Sequence, residues 1–222
     1  MENFNLEDTI AAISTTLGES GIGIVRVSGK LALAVADKIF LSKEDKKPSE
    51  FKTYTLHYGW IAGRPDAPAC RQREVIDEVI LTIMRGPKSF TKEDVVEINC
   101  HGGPVVLGKI LDLVLENGCR LALPGEFTKR AFLNGRIDLA QAEAVIDIIK
   151  AKTDCALKVS LEQLKGGLSK QINEIRGDLL DILSSLEAGI DFPEEGIAAP
   201  DLNKLCEKLT AVNNNIFLRL FF

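Results

Sequence analysis

The hydrophobic period of this chain changes once, at Asp138, and that change constrains the architecture more than any other feature. Upstream, short β-branched runs and two-residue alternation are interleaved with helical spacing, whereas downstream the spacing is helical only. One polypeptide therefore has to bury a sheet in its first part and helix stripes in its second. The expected fold is an α+β domain over residues 1–135, with a mixed sheet and helices, followed by an all-α domain of long helices over 136–222.

The N-terminal part breaks into recognisable pieces. Residues 23–28 (GIVRVS) are β-branched and glycine-bounded, which predicts a buried strand. Leu31, Val35 and Ile39 share a helix face, and a polar, lysine-rich loop follows over 42–52. Alternation over 53–61 and 75–84 predicts two strands, joined by a hairpin loop rich in Gly, Pro and charge. Residues 95–100 (VVEINC) predict another strand, and Gly102-Gly103-Pro104 opens a helix through Leu115, with proline where a missing amide costs little. A short strand is expected over 119–123.

The densest signal is LPGEFTKRAFLNGRIDLAQAEAVIDII, residues 123–149. It holds a Pro-Gly break, a short polar helix, an Asn134-Gly135 turn crowded by Lys129, Arg130 and Arg136, and Asp138 with Gln141 three residues on. That last pair predicts a capping box, in which the carboxylate accepts from an orphan amide while the glutamine reaches back. Farther on, an apolar seam over 157–190 steps closer to an eleven-residue repeat than to a heptad. It predicts one nearly straight helix, with Gly166-Gly167 as a point of kinking and Asp191-Phe192-Pro193 as its end. NNNIFLRLFF leaves apolar side chains at the chain's last positions, which reads as a helix cut short.

Charge and cysteine usage remove several function classes. A net charge of −5 gives no overall basic field for nucleic acid. Five scattered cysteines without C-x-x-C, and two histidines, argue against a disulfide framework and against a metal centre; reduced, buried thiols are expected. MENFNLEDT does not read as a secretory signal, and no uncharged apolar run is long enough to span a bilayer, so no membrane partner and a cytoplasmic protein are expected.

Three charges stand out as candidate ligand contacts. Arg26 sits in the centre of an apolar strand and needs either solvent or an anion. Glu97 projects opposite to Val96 and Ile98. Arg136 follows the Asn-Gly turn at the mouth of the next helix. Two guanidiniums and one carboxylate suit a small ligand bearing carboxylates and a ring with amide-like donors. Glu93-Asp94 reads as a solvated turn, and His101-Gly102-Gly103 as a strand-to-helix turn whose free amides could meet an anion. No phosphate loop G-x-x-x-x-G-K-[ST] is present, and no catalytic residue is assigned.

GIGIVRVSG, SFTKEDVVEINCHGGP, PGEFTKRAFLNGRIDLAQAEAVIDII and AGIDFPEE together resemble the tRNA-modification GTPase family known as MnmE or TrmE, in the family's order and over nearly the whole chain. The resemblance implies an N-terminal domain similar to folate-dependent aminomethyltransferases, which dimerises and binds 5-formyl-tetrahydrofolate at Arg26, Glu97 and Arg136. It also implies a helical domain interrupted by a Ras-like GTPase domain, which would carry the GTP, Mg and K sites of the full-length protein. With the FAD protein MnmG, that complex would modify the wobble uridine (U34) of certain tRNAs to a 5-carboxymethylaminomethyl type. The chain is expected to stop before the GTPase domain and not to hydrolyse GTP alone. The alternative expectation is a helical interaction scaffold that dimerises through its seam without any ligand.

Overall fold

The computed structural model describes residues 6–63, 74–191 and 202–221. The chain divides into two compact units, Met1–Ile137 and Asp138–Phe222. In the first, seven strands form one sheet: β1 (Ile10–Ile13), β2 (Gly23–Ser28), β3 (Phe40–Ser42), β4 (Thr55–Ala62), β5 (Val75–Met84), β6 (Val95–Cys100) and β7 (Arg120–Leu121). Their order is β3-β4-β5-β6-β2-β1-β7, and only the β1–β7 pair is parallel.

Period-two patterning decides which sheet face is dry. Val25 and Val27 of β2, Leu81 and Ile83 of β5, and Val96 and Ile98 of β6 all point to one side and are buried. They pack against α1 (Ala32–Ile39) and α2 (Pro104–Glu116), which contribute Val35, Ile39, Leu107, Ile110 and Val114 to the same core. The opposite face carries Arg26, Glu97, Thr82 and Leu56, which share one row of the register across four strands. Leu56 is 67 % exposed there, so the β4 end of this face is left uncovered by the described residues of the first unit.

The expected strands over 23–28, 75–84 and 95–100 form, and so does the helix opened by Pro104. Two strands escape sequence reading: β1, whose IAAI is too short and alanine-rich to stand out, and β3, whose FLS directly continues α1. The hairpin loop between β4 and β5 lies largely outside the described residues, although its base closes with Gly63 N–H donating to the Glu74 carbonyl.

The second unit begins with the expected capping box. Asp138 Oδ1 accepts from Gln141 N–H at 2.8 Å, and the Asp138 N–H donates to Gln141 Oε1 at 3.0 Å. The single seam helix is a correction. Residues 139–191 form three helices: α4 (Leu139–Lys150), α5 (Asp154–Leu164) and α6 (Gly167–Asp191). Thr153 caps α5, its hydroxyl accepting from the Ala156 N–H. Gly166 then adopts φ +85, a left-handed conformation that only glycine takes without strain, and this ends α5 instead of kinking it. Gln141 reinforces the break by donating to the Leu164 carbonyl at 2.7 Å, and Gln163 returns the favour to the Ala140 carbonyl at 2.9 Å. Beyond it, Ile182 on α6 is buried, as are Leu205 and Val212 on α7 (Leu202–Phe221). Among the described residues, no helix is long and apolar enough to cross a membrane.

Candidate functional site

Antiparallel pairing of β2 with β6 sets Arg26 directly opposite Glu97. Their flanking valines and isoleucine are drawn into the core, so both charged side chains are forced onto the open face. Arg26 Nε donates to Glu97 Oε1 at 2.8 Å, and Nη2 lies 2.6 Å from the same oxygen. Both Arg26 contacts fall on one carboxylate oxygen; Glu97 Oε2 has no partner among the described residues. The side chains are 30 % and 18 % exposed, so the pair is half-sunk in the sheet and still reachable. The Arg26 guanidinium also stands 5.6 Å from the ring centre of Phe127 on α3 (Glu126–Leu133).

Arg136 is held differently. After α3, Gly135 turns the chain at φ +67, and the Arg136 N–H donates to the Ala131 carbonyl. The guanidinium lies 5.0 Å from the ring centre of Phe90, in the loop between β5 and β6. All three sequence-predicted residues therefore belong to the first unit. Arg26 and Glu97 are brought into contact, whereas no hydrogen bond or ion pair among the described residues joins Arg136 to either.

A cavity of about 370 Å³ opens on the same sheet face, where Ile22, Leu56, Tyr58, Ile80, Asn99 and His101 line it; none of the three candidate residues does. At its rim, Asp77 engages His101 through both the backbone N–H (2.8 Å) and Nδ1 (2.7 Å). The Asp77 hydrogen bond raises the His101 pKa above its ordinary value. Two of the amides expected to be free in the His101-Gly102-Gly103 turn are used internally: His101 donates to Asp77 and Gly102 to the Ser20 carbonyl.

The structure also assembles a charge network that sequence reading missed. Glu126 and Arg130, one helical turn apart on α3, are each about 1 % exposed or less. Arg130 donates to Glu126 Oε1, to Glu93 Oε1 at 3.0 Å and to the Asp8 carbonyl at 2.8 Å. Arg120 closes the other side of Glu126 at 2.8 Å and reaches Asp8 at 3.1 Å. Glu93 is thus not part of a solvated turn: its other oxygen accepts from Ser28 Oγ at 2.6 Å, while Asp94 accepts from the Gly86 N–H at 3.0 Å. The available signal was the i, i+4 Glu-Arg pair on a short helix, a pattern ordinarily read as a solvated face.

Burial alone would raise the Glu126 pKa. Hydrogen bonds from Arg120, the Leu123 N–H and Arg130 outweigh it and bring the carboxyl down from 4.5 to about 2. A carboxyl depressed on folding contributes stability that is fully present above its unfolded pKa and is lost as pH falls through the folded one. Thermal unfolding between pH 6 and 2 should therefore steepen in its pH dependence between about 4.5 and 2. Glu126→Gln should flatten that window, and an unchanged slope in the variant would contradict the assignment.

Cys100 and Cys119 are buried as expected, and burial pushes each thiol up to about 11, leaving little thiolate at neutral pH. Cys155 and Cys206 are exposed, contrary to expectation, because both occupy outward positions on helices; Cys70 lies outside the described residues. No group of three or more potential ligands is arranged for a metal among the described residues.

Comparison with known proteins agrees with this geometry of two units. Residues 9–136 match the family described as GTP-binding protein TrmE N-terminus, and residues 139–218 match the MnmE helical domain. The tRNA modification GTPase MnmE of Carboxydothermus hydrogenoformans is 56 % identical over 189 residues, covering 85 % of this chain and 40 % of that protein. Those of Lysinibacillus sphaericus and Bacillus subtilis are 53 % and 49 % identical over 210 residues, covering 94 % of this chain and 44 % of each relative. The chain thus spans less than half the length of these curated relatives. With its N-terminal and helical matches in sequence order and meeting where the fold itself divides, the chain belongs to the MnmE/TrmE family of tRNA modification GTPases.

Proposed function

We propose that the first unit binds a reduced folate, 5-formyl-tetrahydrofolate, as one-carbon donor for modification of the tRNA wobble uridine. The observation that carries this reading is the Arg26–Glu97 pair on the open sheet face. Arg26 occupies Glu97 Oε1 and so fixes the carboxylate plane, while Oε2 remains an open, half-buried acceptor for ring N–H groups. A pterin ring presents such donors, so the residues fit the group. Arg136 supplies a second cation for the folate carboxylates, and the bound folate would supply the one-carbon unit. GTP hydrolysis with Mg and K, homodimerisation, and joint action with MnmG on tRNA belong to this proposal at the level of the full-length protein.

Calorimetric titration with 5-formyl-tetrahydrofolate tests it. Glu97→Ala should weaken binding about tenfold to a hundredfold, the range expected for losing hydrogen bonds to a charged acceptor. Undiminished affinity in an Arg26→Ala, Glu97→Ala double variant would reject the site. Folate-independent dimerisation that requires residues 157–190 would instead favour the helical scaffold.

A further inference from the structure

Three consecutive residues of the β5–β6 loop meet the three residues of the turn that presents Arg136. The Phe90 ring lies under the Arg136 guanidinium at 5.0 Å. The Thr91 carbonyl accepts from Asn134 Nδ2 at 2.7 Å, and Lys92 Nζ donates to the Gly135 carbonyl at 3.0 Å. The loop side of this clasp is rigidly anchored. Thr91 is fully buried, and its hydroxyl lies 2.7 Å from that of Ser28, which in turn donates to Glu93. Lys92 is held at φ +60, a conformation a non-glycine residue keeps only when its surroundings impose it.

The clasp has a peculiar electrostatic outcome. Arg136 makes no ion pair among the described residues, unlike Arg26, Arg120 and Arg130, each of which faces a carboxylate. Its charge is steadied by a ring face, which orients a guanidinium without neutralising it. Such a cation keeps its hydrogen-bond fork open for an incoming anion.

We infer that Phe90, aided by Lys92, is a positioning residue that holds Arg136 in readiness for the carboxylate-bearing end of the ligand. This rests on the folate reading above. Phe90 acts through Arg136 and contributes no polar contact of its own.

The test is a double-mutant cycle on binding of 5-formyl-tetrahydrofolate to the full chain, measured by calorimetry. Phe90→Leu should weaken binding about two- to fivefold, the worth of one ring–cation contact, and Phe90→Trp should restore it. Adding Phe90→Leu to Arg136→Ala should produce no further loss, because the ring has nothing left to orient. Wild-type affinity in Phe90→Leu, or losses that simply multiply in the double variant, would overturn the inference while leaving the Glu97 site intact. A ligand-free readout decides the matter even if folate does not bind and the functional reading falls. The Arg136 Nε–H resonance should show a ring-current shift in the wild type that vanishes in Phe90→Leu, with the backbone amide spectrum retained. An identical Nε–H shift in both proteins would refute positioning by Phe90.

Discussion

Arg130→Ala is expected to lower the unfolding transition of the N-terminal unit by about 10 °C or more. Arg130 is fully buried, and its guanidinium simultaneously faces Glu126, Glu93 and the carbonyl oxygens of Leu6 and Asp8. Removing it takes a cation from Glu93 and a donor from the Leu6 and Asp8 carbonyls. Breaking a buried pair by deleting one partner typically costs about 3–5 kcal/mol. Arg130→Lys should recover only part of the loss, since a single ammonium has no planar fork to span several acceptors. Arg130→Met keeps the apolar stem but not the charge, and should resemble alanine more than lysine if electrostatics dominate. Denaturant unfolding of the set measures this; an Arg130→Ala midpoint equal to that of the wild type would show that Arg120 alone sustains the network.

Gly29→Ala is the second. Gly29 ends β2 at φ +135, where its N–H donates to the Asp94 carbonyl, and Thr9 of the adjacent chain segment presses against it. A methyl group there would lie 2.8 Å from the Thr9 Cα and 2.7 Å from its hydroxyl oxygen. Thr9 has no room to yield: it is buried, its hydroxyl accepts from the Leu31 N–H, and its carbonyl accepts from the Arg120 N–H. Backbone strain and overpacking each cost about 1–3 kcal/mol, so the substitution should destabilise by about 2–6 kcal/mol. Gly108→Ala, inside α2 with nothing within 4 Å of the added carbon, is the matched control and should be neutral or stabilising. If the two variants melt together, the close approach at Thr9 has been misjudged.

Local chemistry explains which parts of this architecture were legible. The Asp138–Gln141 cap was readable because both partners lie three residues apart and answer to one helix end. Strands β2, β5 and β6 were readable because their alternation or β-branching is strong. Arg26 and Glu97 were each identifiable as a charge misplaced in an apolar strand, but their register across the sheet was not, since it depends on strands 71 residues apart. Glu93 was misread for the same reason: its cation sits 37 residues away on a helix whose polar composition suggested solvent. The seam from 157 to 190 misled in the opposite sense. Its spacing continues through Gly166, but a left-handed glycine ends α5 there, and Gln141 of the neighbouring helix takes up the Leu164 carbonyl, without disturbing the period.

The Arg130 clasp carries a consequence for biosynthesis. It ties the Asp8 carbonyl to a side chain 122 residues later, so Asp8 is synthesised well before its partner. At about 5–20 residues per second, Asp8 waits roughly 6–24 s for Arg130, with β1 lacking both of its neighbours for part of that time. Chaperone occupancy on translating ribosomes should therefore fall only once α3 has cleared the exit tunnel.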